Sequence, residues 1–304
     1  MVNLISKRKI WLSLSTIFVA VSLYALFAWG LKLGIDFTGG SLLEVTMNGQ
    51  QPSISEVEDS LASENLHSLT IQPSESNGLI LRFQETSEDV HQAVLSKLTS
   101  LAKKKGATDP ALEEQRFEAV GPSAGTELQK KAIYSVILVL LTISLYIAWA
   151  FRKVSRPVAS WKYGVATLVA LFHDVVIVLG FFAFLGHFFG IEVNTSFVAA
   201  ALTVLGFSVH DTIVVFDRIR ENLPRSNQDF AGTVNMSLNQ TLVRSINTSV
   251  TVILVLAAIV FLGGISIKYF ALALLVGIFF GTYSSIFLAS PILVVWDNIS
   301  RRAR

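Results

Sequence analysis

The sequence predicts an α-helical membrane protein with six transmembrane helices and one external α+β domain between the first two. Three observations lead there. Hydrophobic residues make up 52% of the 304 and charged residues only 15%, where about 25% charged is usual for a soluble domain; the mean hydropathy is +0.58. Six apolar runs are long enough to cross about 30 Å of hydrocarbon, which takes about 20 helical residues. The stretch over 32–125 returns to ordinary soluble composition. The net charge of +2 is small, and the basic residues stand at the ends of apolar runs rather than on one soluble face, so no nucleic-acid partner is expected. The absence of cysteine excludes disulfides and thiolate metal sites.

The spans run over 10–30, 132–151, 163–185, 195–216, 246–262 and 269–295. The first follows Lys7, Arg8 and Lys9, as a signal peptide would, but its apolar core is too long and no small-x-small cleavage site follows, so it reads as a retained anchor. The fifth is the shortest and is expected to begin a turn earlier than its apolar run. This divides the chain into 1–31 (N-terminus and first span), 32–125 (external domain) and 126–304 (the other five spans and the C-terminus). Lys and Arg in the short flanks set the orientation. On one side stand Lys7, Arg8 and Lys9; Arg152, Lys153, Arg156 and Lys162; Arg218, Arg220, Arg225 and Arg244; and Arg301, Arg302 and Arg304. The opposite short loops, 186–194 and 263–268, hold only Lys268. Both termini are therefore expected in the cytoplasm, with 32–131 outside.

In the external domain, 41–47 is apolar and β-prone, directly after Gly39-Gly40. Ser53-Ile54-Ser55-Glu56 is a capping-box pattern that opens an amphipathic helix through Leu66. Residues 68–72 and 79–84 read as strands around a turn over 74–78. A second helix starts at 86–89 with Val90, Val94, Leu95, Leu98 and Leu101 on one face, and 116–120 supplies a last strand. The order β-α-β-β-α-β is that of a ferredoxin-like split unit. Gly121-Pro122-Ser123-Ala124-Gly125 matches the G-x-S-x-G nucleophile elbow. A membrane span rather than a buried helix follows it, so these residues read instead as a flexible joint before a helix cap at Thr126-Glu127-Leu128-Gln129. No enzymatic centre and no cofactor are expected.

Charges inside the spans are the informative exceptions. Asp174 lies beside His173 near the centre of the third span, and Asp211 beside His210 in the fourth. An ionisable group at mid-helix costs about 2.5–3.5 kcal/mol on insertion scales, so it normally faces a partner or water. Counting back from Asp211 by threes and fours gives Phe207, Thr203, Ala200 and Ser196, a mostly small and polar stripe. Arg244 opens the fifth span, and its face continues with Asn247, Thr248 and Thr251. The sixth carries Gly277-x-x-x-Gly281, spaced for close helix packing, then Ser284 and Ser285. Asp211 and Arg244 fall at similar depth, so an ion pair between them is expected, with Asp217 a rival partner for Arg244. His173–Asp174 and His210–Asp211 point about 100° apart around their helices, which argues against a shared metal. Burial penalises the charged form of a carboxyl and a cation favours it, whereas arginine keeps its charge. Asp211 can thus serve either as a proton carrier or as a structural ion-pair member; Asp174 reads equally as a relay member or a polar packing contact.

The motifs Gly34-Ile35-Asp36-Phe37-Thr38-Gly39-Gly40-Ser41, Val120-Gly121-Pro122, His173-Asp174, the run over 206–222 that contains His210-Asp211, and Asn239-Gln240-Thr241-Leu242-Val243-Arg244-Ser245 stand in this order along nearly the whole chain. Together they resemble SecF proteins of the bacterial Sec protein-export machinery, within the resistance–nodulation–division superfamily. The resemblance implies an inner-membrane subunit that pairs with SecD, works beside the SecY-E-G translocon, with YajC and YidC as further partners, and uses the proton-motive force to draw preproteins outward. It ties Asp211 and Arg244 to proton transport. His210 stands where relatives often carry Asn, so no proton role follows for it. Two rival readings stay open on the residues: a half-transporter for a small molecule or lipid, and a passive scaffold.

Overall fold

The computed structural model describes residues 2–74, 77–152 and 158–302. Part of the turn expected over 74–78, and Lys153, Arg156 and Arg304 among the flanking cations, lie outside the described residues. The chain divides into two compact units, Met1–Lys32 with Ala132–Arg304, and Leu33–Lys131.

A 3-10 turn over Ile5–Lys7 leads into α1 (Arg8–Trp29). The few residues before it are tied down by two asparagines far along the chain. The side-chain oxygen of Asn239 accepts the Val2 N–H at 2.8 Å, that of Asn235 accepts the Leu4 N–H at 2.8 Å, and the Asn239 amide donates back to the Val2 carbonyl at 2.8 Å.

The second unit contains α2 (Ile35–Thr38), β1 (Gly40–Met47), α3 (Ile54–Leu61), β2 (Thr70–Ser74), β3 (Gly78–Phe83), α4 (Glu88–Lys104) and β4 (Leu112–Val120). The sheet order is β2-β3-β1-β4, antiparallel throughout, which is the ferredoxin-like arrangement expected from the element order. Leu43, Val45 and Met47 alternate inward from β1 and meet Val57 and Leu61 of α3 and Val94 and Leu98 of α4. The capping box at α3 closes both ways: Ser53 Oγ accepts the Glu56 N–H at 3.3 Å, and Glu56 accepts the Ser53 N–H at 2.8 Å. α3 is shorter than expected and ends in a 3-10 turn over Ala62–Glu64. β4 begins four residues before the expected 116, because Leu112 pairs with Met47 while the intervening glutamates hide the strand from a hydropathy reading. The one-turn α2 carries no period from which it could be read.

The remaining helices are α5 (Pro122–Ala150), α6 (Ser160–Phe189), α7 (Thr195–Asn222), α8 (Phe230–Leu262), α9 (Ile265–Ser284) and α10 (Ser290–Arg302), the last two joined by a π turn over Ser285–Ala289 into one rod. Among the described residues, six helices are long and apolar enough to cross a membrane. α6 and the α9–α10 rod are the most enclosed, α7 follows, and α1, α5 and α8 leave most of their surface open. Two helix starts differ from the sequence reading. α8 begins at Phe230, far more than a turn ahead of 246. Asp229 caps it by accepting the Gly232 N–H at 2.8 Å, and Phe230, Val234 and Leu238 are buried along its first turns; the apolar run marks only its lipid-length part. α5 begins at Pro122, not at the Thr126 cap. Proline suits the first helical position, where no N–H is needed, and Thr126 Oγ1 donates back to the Pro122 carbonyl at 2.9 Å inside the helix. The stretch read as a flexible joint is thus the helix's first turn.

Close approach of α7 to α9 depends on two glycines. A Cβ on Gly277 would overlap the Val204 side chain, and one on Gly281 would lie 2.9 Å from Ser208 Cβ. α1 meets α6 in the same way, with Ser22 packed directly on Gly180, a contact that no spacing in the sequence reveals.

Two outcomes are expected. Gly277→Val, which has no room beside Val204, lowers the thermal stability of the chain in lipid or detergent by about 1–3 kcal/mol; Gly206→Ala, inside α7 with nothing within 4 Å of the new methyl, does not lower it and gains up to about 1 kcal/mol from the better helix former. In the second unit, the hydrogen bond from Lys105, followed by those from Ser53, holds the Glu56 carboxyl down from an ordinary 4.5 to about 2. A lowered value makes the ionised form the stabilising one, so its contribution is complete above pH 4.5 and lost as pH falls toward about 2. The melting temperatures of the wild type and Glu56→Gln, followed by circular dichroism, therefore converge over that window; a gap that stays constant contradicts the assignment.

Candidate functional site

Asp211 is buried on α7. Ser249 Oγ of α8 donates to its Oδ2 at 3.4 Å and shares a second hydrogen bond with Thr282 of α9; Thr282 and Ser245 also lie against the carboxyl, Ser245 without a bond of good geometry. Among the described residues no cation pairs with Asp211. The expected Asp211–Arg244 ion pair is absent among them, and the cause is helical phase. The buried residues of α8 include Thr233, Ser237, Thr241, Ser245 and Ser249, a strict i, i+4 hydroxyl series. Arg244 precedes Ser245 by one position, about 100° around the helix, and is exposed together with Asn247, Thr248 and Thr251. It lines a cleft of about 310 Å³ with Asp217, Arg218, Glu221 and Gln240. Asp217, the rival partner, pairs with Arg220.

The stripe read back from Asp211 also needs correction. Ala200 is buried and Phe207 half-buried, but Thr203 and Ser196 are exposed. The residues that share the buried face with Asp211 are Ser208, Val204 and Ala200. His210 is exposed beside Asp211.

Asp174 of α6 is fully buried. Its Oδ2 accepts the Ser208 hydroxyl of α7 at 2.6 Å and the Ser284 hydroxyl at the end of α9 at 2.8 Å, and its Oδ1 lies 2.9 Å from His173 Nδ1. Ser285, opening the π turn, is 2.8 Å from the Thr212 hydroxyl and donates to the Ser208 carbonyl at 3.2 Å. Adjacent serines of one rod thus serve different helices, Ser284 reaching α6 and Ser285 reaching α7; π turns are frequent at functional sites. Asp174 and Asp211 therefore sit in neighbouring hydroxyl cages that share α7 and α9. Sequence reading missed Ser208, Ser245, Ser249 and Thr282. The four-residue hydroxyl repeat on α8 and the serine three residues before Asp211 are the signals that would have found them.

The glycine motifs gather at a second place, within the unit Leu33–Lys131. Gly39 and Gly40 have φ of 77° and 121°, values favoured by glycine. A Cβ on Gly39 would lie 2.8 Å from Pro122 Cα, and one on Gly40 2.6 Å from the Phe83 carbonyl oxygen. Gly125 packs against Phe37 and Gly39, where a Cβ would be 3.0 Å from their backbone, and its N–H donates to the Gly121 carbonyl at 3.0 Å. Gly39, Pro122 and Gly125 form one packed contact at the start of α5, whereas Gly40 packs on Phe83 of β3 and a Cβ on Gly121 would meet nothing within 4 Å. Ser123 lies exposed in that turn, bonded to no histidine among the described residues. No group of three or more His, Asp or Glu suited to a metal ion occurs among them either.

Comparison with known proteins matches these features to one family. The family model described as protein export membrane protein SecD/SecF, C-terminal, matches residues 100–299, and that of the SecD/SecF GG motif matches 24–50. The chain is 43% identical to the protein translocase subunit SecF of Thermobaculum terrenum, over 98% of this chain and 95% of that protein. It is 38% identical to that of Anaerolinea thermophila, again over 98% and 95%. Among solved structures it resembles SecDF, a translocon-associated membrane protein from Thermus thermophilus, with 33% identity and a TM-score of 0.81 over 98% of this chain. It also resembles SecDF in a super-membrane-facing form, with 31% identity and a TM-score of 0.69. The chain spans 39% of the length of each of those SecDF chains. By its matched motifs, its six apolar helices and its four-stranded sheet, this chain belongs to the SecF family of protein translocase subunits.

Proposed function

We propose that the chain pairs with SecD as a bacterial inner-membrane subunit, both termini cytoplasmic, and uses the proton-motive force to draw preproteins outward beside the SecY-E-G translocon, with YajC and YidC as neighbours. The observation that supports proton coupling is Asp211: a buried carboxyl held by hydroxyls, with an arginine close along α8 but turned away. A hydroxyl cage suits the neutral carboxyl, which can both donate and accept. A guanidinium suits the anion. Ser245 and Arg244 are adjacent on α8, so a turn of that helix together with the reach of the arginine exchanges one environment for the other. Proton loss would then drive a helix movement, and proton gain would reverse it. Asp174, in the neighbouring cage that Ser208 joins to α7, stands in this reading as a relay member, and Gly39, Gly40, Gly121, Pro122 and Gly125 as packing or hinge residues.

Pairing with a second membrane half is supported by what the open face displays. Ser196, Thr203 and His210 of α7 and Arg244, Asn247, Thr248 and Thr251 of α8 are exposed on membrane-length helices. Hydrocarbon cannot satisfy such groups, so polar residues in spans normally face other helices or water. SecD, which the solved SecDF structures join to this fold, is the natural cover.

The expected result is that Asp211→Asn, reconstituted with its SecD-type partner and the translocon in inverted membrane vesicles, still assembles but loses proton-gradient stimulation of preprotein export by about tenfold or more. Undiminished stimulation in an assembled Asp211→Asn complex overturns Asp211 as the proton carrier.

A further inference from the structure

His173 and Asp174 are both closed off, at 2% and 0% exposure. The Asp174 carboxyl is surrounded by donors: Ser208 and Ser284 give their hydroxyls to Oδ2, and His173 Nδ1 lies 2.9 Å from Oδ1. The other ring nitrogen, His173 Nε2, is buried and has no hydrogen-bond partner among the described residues. The imidazole is stacked on Tyr283 with ring centroids 6.0 Å apart and meets the edge of Phe280. Tyr283 in turn donates to the Trp11 carbonyl at 3.1 Å and accepts from Ser15 at 3.2 Å. Around the pair, then, α7 presents Ser208, α9 presents Ser284, Phe280 and Tyr283, and α1 presents Trp11 and Ser15 behind that tyrosine. Of these only Tyr283 titrates, and among the described residues no Lys or Arg pairs with Asp174.

Charge balance now limits the proton count. A carboxylate enclosed without a cation costs several kcal/mol, so the favoured form of the pair is neutral overall. The Ser208 hydroxyl is directed at Oδ2, and that of Ser284 is shared between Oδ2 and the Gly281 carbonyl at 3.1 Å; with Oδ2 so supplied, we place the inner proton of the neutral form between Oδ1 and Nδ1. Whether it is drawn on the oxygen or on the nitrogen, the imidazole carries its other proton on Nε2. The pair can become an anion only by giving up that proton, and it becomes neutral again only by taking one back at the same atom.

We propose that His173 and Asp174 together form a second proton-holding site, separate from Asp211, whose entry and exit atom is Nε2 of His173. The site is joined to Asp211 through α7. Ser208, which donates to Asp174, lies one helical turn before Asp211, and its carbonyl holds Ser285 of the π turn. A change of charge at Asp174 therefore pulls on the helix segment that carries the other carboxyl. The proposal rests on the proton-coupled reading above for its purpose, while its evidence is the geometry of the pair.

The test uses the full-length chain in lipid vesicles with ¹⁵N-labelled histidine, read by solid-state NMR. The chain has five histidines, so the His173 signal is assigned by its loss in His173→Gln. Its Nε2 is expected to pass from protonated to bare in one transition as pH is raised across the range in which the chain stays folded. Asp174→Asn removes the neutralising charge and moves that transition down by at least about one pH unit, a tenfold loss of proton affinity. Ser284→Ala removes a donor from the carboxylate and moves it up, which keeps the idea testable if Asp174→Asn does not fold. Asp211→Asn leaves the transition present. A flat response across the range, or transitions unmoved in both Asp174→Asn and Ser284→Ala, overturns the proposal. Loss of export coupling is scored separately in the vesicle assay, so either reading can fail while the other stands.

Discussion

A carboxyl group inside a lipid-length bundle has to be solvated by the bundle itself, and the packing of α6, α7 and α9 is organised around that need. Hydroxyls are the solvent. Ser208, Ser284, Ser249 and Thr282 can touch Asp174 and Asp211 because α9 lies against α7 at glycine distance, with Gly277 on Val204 and Gly281 on Ser208. Side chains of that size are common where spans must approach closely. Larger residues at either glycine would separate the helices and leave both carboxyls short of donors. The π turn adds to this by aiming two consecutive serines of one rod at two different helices. Polarity and close packing are thus one device here.

α8 shows how a single helix can carry two chemistries on adjoining faces. Inward, hydroxyls recur every fourth residue from Thr233 to Ser249. Outward, Arg244, Asn247, Thr248 and Thr251 form a polar edge. The two faces differ by one residue in register, so a small rotation has a large electrostatic effect. The side-chain set around Asp211 depends more on the angular setting of this helix than on its position along the membrane normal.

Much of this was legible in the residues. Six apolar runs give six membrane-length helices, and the order of caps, alternating strands and turn residues gives the ferredoxin-like unit, down to the reciprocal bonds of Ser53 and Glu56. Asp174 and Asp211 stand out because charge is rare inside such runs. What was not legible falls into two kinds. Helix starts at Pro122 and Phe230 escaped because hydropathy reports where lipid begins, whereas a helix begins at its cap. The partners of Asp211 escaped because similar depth along a span was taken as proximity; Arg244 has the depth, but Ser245 and Ser249 have the phase. Serine and threonine also draw little notice in an apolar run, although two of them decide the surroundings of Asp174.

The clasp between residues 2–5 and the asparagines of α8 has a consequence for assembly. The Val2 to Asn239 bond joins positions 237 residues apart, so residues 2–5 have no place to settle until α8 has been made. Until then α1 is held by its contacts with α6 and the bilayer alone, with Leu4 and Ile5 still outside the core they later join. Closing so long a loop is entropically slow but only logarithmically more costly than a short one. Seating of residues 2–5 therefore waits on a helix that lies far along the chain.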